Sequence, residues 1–275
     1  MIWLALSLAV ELSAAMALAW VIQRITRNAG WVDAVWSFAT GAACVAAALT
    51  PLEGHPPSAR AWLAAGLIGL WSARLGLHIA RRSAGAEHED PRYAQFRQDW
   101  GTKFEGRLFA FLQIQAACSV ALATSVMVAA RNPATGLAWS DFVAALICLA
   151  AIAGEGLADD QLHRFKADPA NKGGVCDVGL WAWSRHPNYF FEWLGWLAWP
   201  MMAIGPAAAW GPGWIALAAP ALMFWLLRFA SGVPPLEAAM LKSRGQAFAD
   251  YQARTSAFFP LPPRRRAPTL TRTPA

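Results

Sequence analysis

The chain has 275 residues, 57% of them hydrophobic, with 16 tryptophans and only 15% charged side chains; that balance excludes an ordinary soluble domain. Its net charge of +6 is of the size that membrane topology explains, so it calls for no nucleic-acid partner. The four cysteines show neither a C-x-x-C pair nor metal-ligand spacing, so small buried side chains are expected rather than a disulfide framework or a metal site.

Apolar stretches long enough to cross a bilayer recur along the chain, and seven are predicted, at about 2–22, 31–50, 61–80, 108–130, 139–158, 187–205 and 213–230. The first has no basic segment before it, carries Glu11 and is followed by Arg24 and Arg27, which predicts a retained span with its N-terminus outside. That orientation makes 24–30, 81–107, 159–186 and the segment after 230 cytoplasmic. Of the 23 Lys and Arg, only Arg60 and Arg131 then fall on the far side. The expected architecture is an all-α integral membrane protein of seven transmembrane helices, N-terminus outside and C-terminus cytoplasmic. One domain covers 1–263. The basic, proline-rich tail at 264–275 is expected to be disordered, its Arg264, Arg265 and Arg266 suited to lipid headgroups.

Asp33 stands in the first turn of the second span. It can complement the helix dipole or act as a carboxyl group that protonates or polarises a substrate carbonyl. His55, in a short external proline-rich turn, is expected to face solvent. Near the end of the third span Arg74, His78 and Arg81 share one helix face at i, i+4 and i+7. Arg81 and Arg82 suit interfacial anchors, but Arg74 lies deeper, where an arginine normally faces a cavity or a partner. Asp90 followed by Pro91 is an N-cap with proline at the first position. It predicts an amphipathic helix whose Arg92 and Tyr93 can grip a phosphate and an adenine or lie against lipid.

Glu155 and Asp159 end the fifth span one turn apart, an unfavourable pair unless they face cations or ligand hydroxyls; ribose hydroxyls are what a carboxylate holds in a dinucleotide site. Lys166 follows, then Asn171 and Lys172 before Gly173 and Gly174, a flexible positive turn able to close over phosphates. The stretch Gly179–Pro200 is a basic, aromatic entry into an apolar helix. Pro187 suits the first turn, so Ser184, Arg185 and His186 sit at a helix mouth that favours an anion. Asn188 and Glu192 share one face beneath Arg185, and Glu192 inside apolar surroundings requires a partner or a task. This stretch is either an interfacial anchor or one wall of a site for a phosphate-bearing cofactor.

After the last span Gly232, Pro234 and Pro235 interrupt the helix. The amphipathic segment that follows, with Lys242, Arg244, Tyr251 and Arg254, is an interfacial helix or a lid. Asp33, Arg74, His78, Glu155, Asp159 and Glu192 all fall in the cytoplasmic halves of their helices, which predicts a polar cavity open to the cytoplasm under basic loops. There is no Gly-x-Gly-x-x-Gly and no P-loop, so a nucleotide would be bound outside any Rossmann unit.

Four motifs in order resemble the bacterial DUF1295 branch of the steroid 5α-reductase family, over about 28–263. They are Glu89-Asp90-Pro91-Arg92-Tyr93; Glu155 through Asp159 to Phe165-Lys166; Ser184-Arg185-His186-Pro187-Asn188-Tyr189 with Glu192; and Ser231 to Pro234 through Tyr251 to Phe258. The resemblance implies a seven-helix membrane reductase that moves hydride from NADPH to the Δ4 double bond of a 3-oxo steroid or similar lipophilic enone. It implies a cofactor wall of Asn188 and Glu192 with Arg185, His186 and Tyr189. Arg81, Asp159, Tyr251 and Arg254 join it, with Arg92 and Tyr93 near the family's Arg-x-Tyr contacts at a different spacing; Glu155, Lys166, Asn171 and Lys172 are added to the cofactor set from their own residue pattern. The family's animal members use a glutamate on span 2 and a tyrosine on span 3 for the carbonyl. Here span 2 offers Asp33, and span 3 offers Arg74 or His78 in place of a tyrosine. The Arg-His-Pro motif is shared with S-adenosylmethionine-dependent membrane methyltransferases of the isoprenylcysteine and phospholipid type, the alternative activity. Membrane lipid and the lipophilic substrate are the expected partners; no obligate protein partner is implied.

Overall fold

A computed structural model describes residues 2–51, 54, 56–85, 90–205 and 210–264. His55, Glu89 and the tail from 265 onward lie outside the described residues. Eleven α-helices form among those described: α1 Ile2–Thr26, α2 Gly30–Leu49, α3 Ala59–Ala84, α4 Pro91–Trp100, α5 Phe104–Ala130, α6 Trp139–Ala167, α7 Pro187–Trp196, α8 Ala198–Ile204, α9 Ala218–Trp225, α10 Val233–Arg244 and α11 Gln246–Arg254. No strand occurs among them; one isolated bridge pairs Ser184 with Ser256.

Six helical stretches are long and apolar enough to cross a membrane: Ile2–Thr26, Gly30–Leu49, Ala59–Ala84, Arg92–Ala130, Trp139–Ala167 and Gly211–Arg244. The predicted span at 187–205 is not among these six. It is divided at Leu197 into α7, of 10 residues, and α8, of 7. Pro200 explains the division, because it has no N–H to bond the carbonyl of Trp196 and sits where a new first turn tolerates it. At about 1.5 Å per residue neither piece alone crosses an apolar core of about 30 Å.

Small residues let the helices approach closely. A Cβ on Gly41 of α2 would come within 2.1 Å of the Ser72 side chain of α3, and one on Gly76 within 2.6 Å of the Phe38 ring. Ser72 donates to the Ser37 carbonyl at 3.0 Å. Trp36 donates to Ser119 Oγ at 2.9 Å, tying α2 to α5. α1 lies on α2 and α5, and α6 on α7.

The two arginines separated from the rest by the charge pattern are both tied down by acceptors. Arg60, 2% exposed, meets Asp141 through two hydrogen bonds of 2.8 and 2.9 Å and donates to the carbonyls of Asn132, Ala134 and Gly136. Arg131 donates to the carbonyls of Ala47, Met127 and Thr50. Pairing and hydrogen bonding are what make a buried guanidinium tolerable. At the other end, Asp90 caps α4 by accepting from the Arg92 amide at 3.0 Å, as its sequence predicts. A π-helical turn, Leu226–Ala230, follows α9. The chain then bends at Ser231 and Gly232, where the sequence predicts a break. All four cysteines are free; Cys44, Cys148 and Cys176 are buried and Cys118 partly so.

Candidate functional site

The start of α4 is brought against the start of α2. Arg92 Nη2 donates to Asp33 Oδ2 at 2.5 Å, and the Tyr93 hydroxyl donates to Asp33 Oδ1 at 2.9 Å. Arg92 also meets Asp90 through Nε at 3.0 Å and Nη2 at 3.1 Å, and Arg82 Nη2 lies 3.5 Å from the same carboxylate. Burial alone would raise the Asp90 carboxyl, but the guanidiniums of Arg92 and Arg82 hold it below the ordinary aspartate range. Tyr189 of α7 is an electrostatic neighbour of Arg92, Asp90 and Asp33.

Arg74 and His78 do not join that group. Arg74 lies between Glu155 (Nη1 to Oε2, 2.8 Å) and Asp159, and His78 Nε2 is 3.5 Å from Asp159. Asn188 donates to Asp159 Oδ1 at 3.4 Å, linking α7 to the same carboxylate. The two acids one turn apart thus face a cation, as their spacing predicts.

Glu192, 7% exposed, accepts from the indole nitrogens of Trp71 at 2.7 Å and Trp196 at 2.9 Å. These three line a crevice together with Glu155, Cys148 and Phe191. Its volume of about 10 Å³ is near the room one water needs. Phe191 lies flat on Gly154, where a Cβ would meet its ring at 2.4 Å.

Above these groups lies a basic rim. Arg82 and Arg244 are cationic neighbours of Lys166. Arg81, Arg82, Lys166 and Lys172 are exposed. Asn171 closes α6 by donating to the Phe165 carbonyl at 3.0 Å. The turn that follows runs past Arg244: a Cβ on Gly173, whose φ is +83°, would lie 3.8 Å from Arg244 Nη1. Arg244 Nε is buried with no hydrogen-bond partner among the described residues.

The helix mouth before α7 does attract an anion, and the chain itself supplies it. Arg185 grips Glu237 of α10 in a fork, Nε to Oε1 at 2.7 Å and Nη2 to Oε2 at 3.1 Å, and donates to the carbonyls of Gln252 and Thr255. His186 Nε2 is 3.0 Å from Glu237 Oε1, and its ring stacks on Tyr189 at 5.4 Å. Tyr251 donates to the carbonyls of Trp181 and Ser184, and Arg254 pairs with Asp177. Burial lowers the His186 pKa; Glu237 opposes this, Arg185 and Arg228 add to it, and the net direction is down. Arg185, His186, Tyr251 and Arg254 therefore tie the 177–186 segment to the C-terminal helices.

Sequence reasoning missed Trp71, Trp196, Glu237 and Asp177 as partners. Trp196 stands four residues after Glu192, on the same helix face, and that spacing was a usable signal. Glu237, an acid just after two prolines, was another.

A family model described as a protein of unknown function, DUF1295, matches residues 19–255. The chain belongs to the DUF1295 family. An uncharacterized protein of the yeast Schizosaccharomyces pombe is 30% identical over 205 residues, which are 65% of this chain and 58% of that protein. The chain thus spans little more than half the length of that relative. No solved structure matches it.

Proposed function

We propose that this DUF1295 protein is an integral membrane reductase of the steroid 5α-reductase type. It moves hydride from NADPH to the Δ4 double bond of a 3-oxo steroid or similar lipophilic enone. In this reading α7 and α8 together form a seventh membrane-crossing segment, the N-terminus lies outside, and the site opens to the cytoplasm of a bacterial inner membrane. The observation that carries the reading is one line of polar contacts. It runs from Tyr93 and Asp33 through Arg92 and Asp90 to Arg82, and on to the neighbouring Lys166 and Arg244. One end offers a hydroxyl donor beside positive charge, as an enolate oxygen requires; the other offers cations suited to phosphates.

The rim fits a phosphate-bearing group, since the buried Arg244 Nε lacks a partner among the described residues beside the Gly173 turn. Arg82, Lys166, Lys172 and Arg244 would hold the phosphates, and Asp159 with Asn188 the hydroxyls. When bound, NADPH would supply hydride to the β-carbon of the enone, and a proton from water would complete the α-carbon. Tyr93 would shift its one hydroxyl hydrogen bond from Asp33 to the substrate oxygen, with Arg92 holding Asp33 and offsetting the negative charge. Arg185, His186, Tyr251 and Arg254 brace the wall in this reading.

Thermal shift of the detergent-solubilised protein with NADPH, NADP and S-adenosylmethionine in parallel tests the class. A ligand at about 100 times its Kd adds roughly 2.7 kcal/mol. Stabilisation by NADPH, followed by its oxidation on adding a Δ4-3-oxo steroid, is the expected result. Stabilisation by S-adenosylmethionine alone would assign the protein to methyl transfer instead.

A further inference from the structure

A groove of about 380 Å³ lies where α1 leaves its span, lined by Gln23, Arg24, Arg27, Arg97 and Glu105. It shares no residue with the candidate site. Among the described residues its lining holds three arginines and one carboxylate, and that carboxylate is already engaged. Glu105 accepts from Gln23 Nε2 at 2.9 Å, and Arg24 Nε is 3.8 Å away. Aromatic faces hold two of the cations: Arg24 lies over Trp20 at 4.7 Å and Arg97 over Phe104 at 4.0 Å. Arg27, exposed, has φ of +53° and is the one non-glycine residue with positive φ among those described. Glycine or asparagine would adopt that backbone with less strain. An arginine kept there sets a guanidinium at the groove.

The surface beside the groove is apolar and bare. Leu18, Val21 and Ile25 of α1 are 56%, 41% and 77% exposed, and Phe109 of α5 is 39% exposed. Trp20 and Phe109 meet edge to face at 5.6 Å, joining the two helices beneath the cations. An uncovered apolar wall ending in the exposed guanidiniums of Arg24 and Arg27 matches a lipid with its phosphate at the interface and its chains in the core.

We propose that this groove binds the headgroup phosphate of an anionic phospholipid whose acyl chains lie along the exposed α1–α5 face. The short helix α4 then connects the two regions, since it carries Arg97 to the groove and Arg92 with Tyr93 to Asp33.

The test is native mass spectrometry of the delipidated full chain with added phosphatidylglycerol, phosphatidylcholine or inorganic phosphate. Phosphatidylglycerol should be retained about ten-fold better than phosphatidylcholine, and joint substitution Arg24→Gln, Arg27→Gln and Arg97→Gln should abolish that preference. Arg27→Gln alone, at an exposed position safe for folding, should reduce it measurably, and Arg27→Lys should restore it. Equal retention of the two lipids, or an unchanged preference in the triple variant, would overturn the proposal. Displacement of phosphatidylglycerol by millimolar inorganic phosphate would assign the groove to a free anion and overturn the lipid assignment.

Discussion

Tyr93 donates to one oxygen of Asp33 while Arg92, its neighbour in sequence, holds the other. Two consecutive residues of α4 thus fix a single carboxylate of α2. Tyr93→Phe keeps the ring and the arginine contact and removes only the donor. If the phenol serves the enolate, turnover should fall about a hundred-fold with NADPH affinity nearly unchanged. Asp33→Asn should also lower kcat more than cofactor affinity. Full turnover in either variant removes that residue from the mechanism.

Glu192 is held by two indole donors rather than by a cation. Glu192→Gln turns one acceptor into a donor against an indole N–H, so stability should drop by about 1–3 kcal/mol. If the carboxylate also faces the cofactor, NADPH binding should weaken as well. Thermal melting with and without NADPH separates the two effects, and an unchanged ligand shift confines Glu192 to structure.

His186 sets an acid limit on the fold. It meets Glu237 and Tyr189, with Arg185 and Arg228 as cationic neighbours, and its pKa is lowered mainly by burial. The unfolded chain therefore takes up this proton more readily than the folded one. The associated stability is complete above about pH 6.5 and declines as pH falls through the lower folded-state value. Asp90, also lowered, adds a separate loss below about pH 4. Melting temperature against pH should show both steps, and His186→Gln should remove only the upper one.

At the opposite end, Asp141→Asn leaves Arg60 buried without its counter-charge. A cost of about 3–5 kcal/mol is expected, with cofactor binding in the surviving folded fraction unchanged. Replacing both partners, Arg60→Met with Asp141→Leu, should recover only part of the loss, because the carbonyls of Asn132, Ala134 and Gly136 lose their donor. Equal melting temperatures for the single and double variants would show that the pair's charge is not what matters.

Much of this was legible in the sequence because it is local. Apolar length located the first five spans, Asp90-Pro91 the start of α4, and Gly232 the bend before α10. The spacing of Glu155 and Asp159 called for cations or ligand hydroxyls, and Arg74 is there. Which helix supplies each partner was not local. Trp71 reaches Glu192 across 121 positions, and Asp33 finds its partners 59 and 60 positions away on α4 rather than on α3. Hydropathy also concealed the break at Leu197, since Pro200 is as apolar as its neighbours.

The π-helical turn before α10 sets an angular register. Ser231 donates to the Leu226 carbonyl five residues back, at 2.9 Å, so the turn holds one residue more than an α-helix would. Each residue of a helix advances it by about 100°. Deleting Leu226, Leu227 or Ala230 would preserve every charged group while rotating α10 by roughly that angle. Glu237 would then point away from Arg185 and His186. An insertion one residue long thus decides whether the C-terminal helices grip the rest of the chain or turn their back on it.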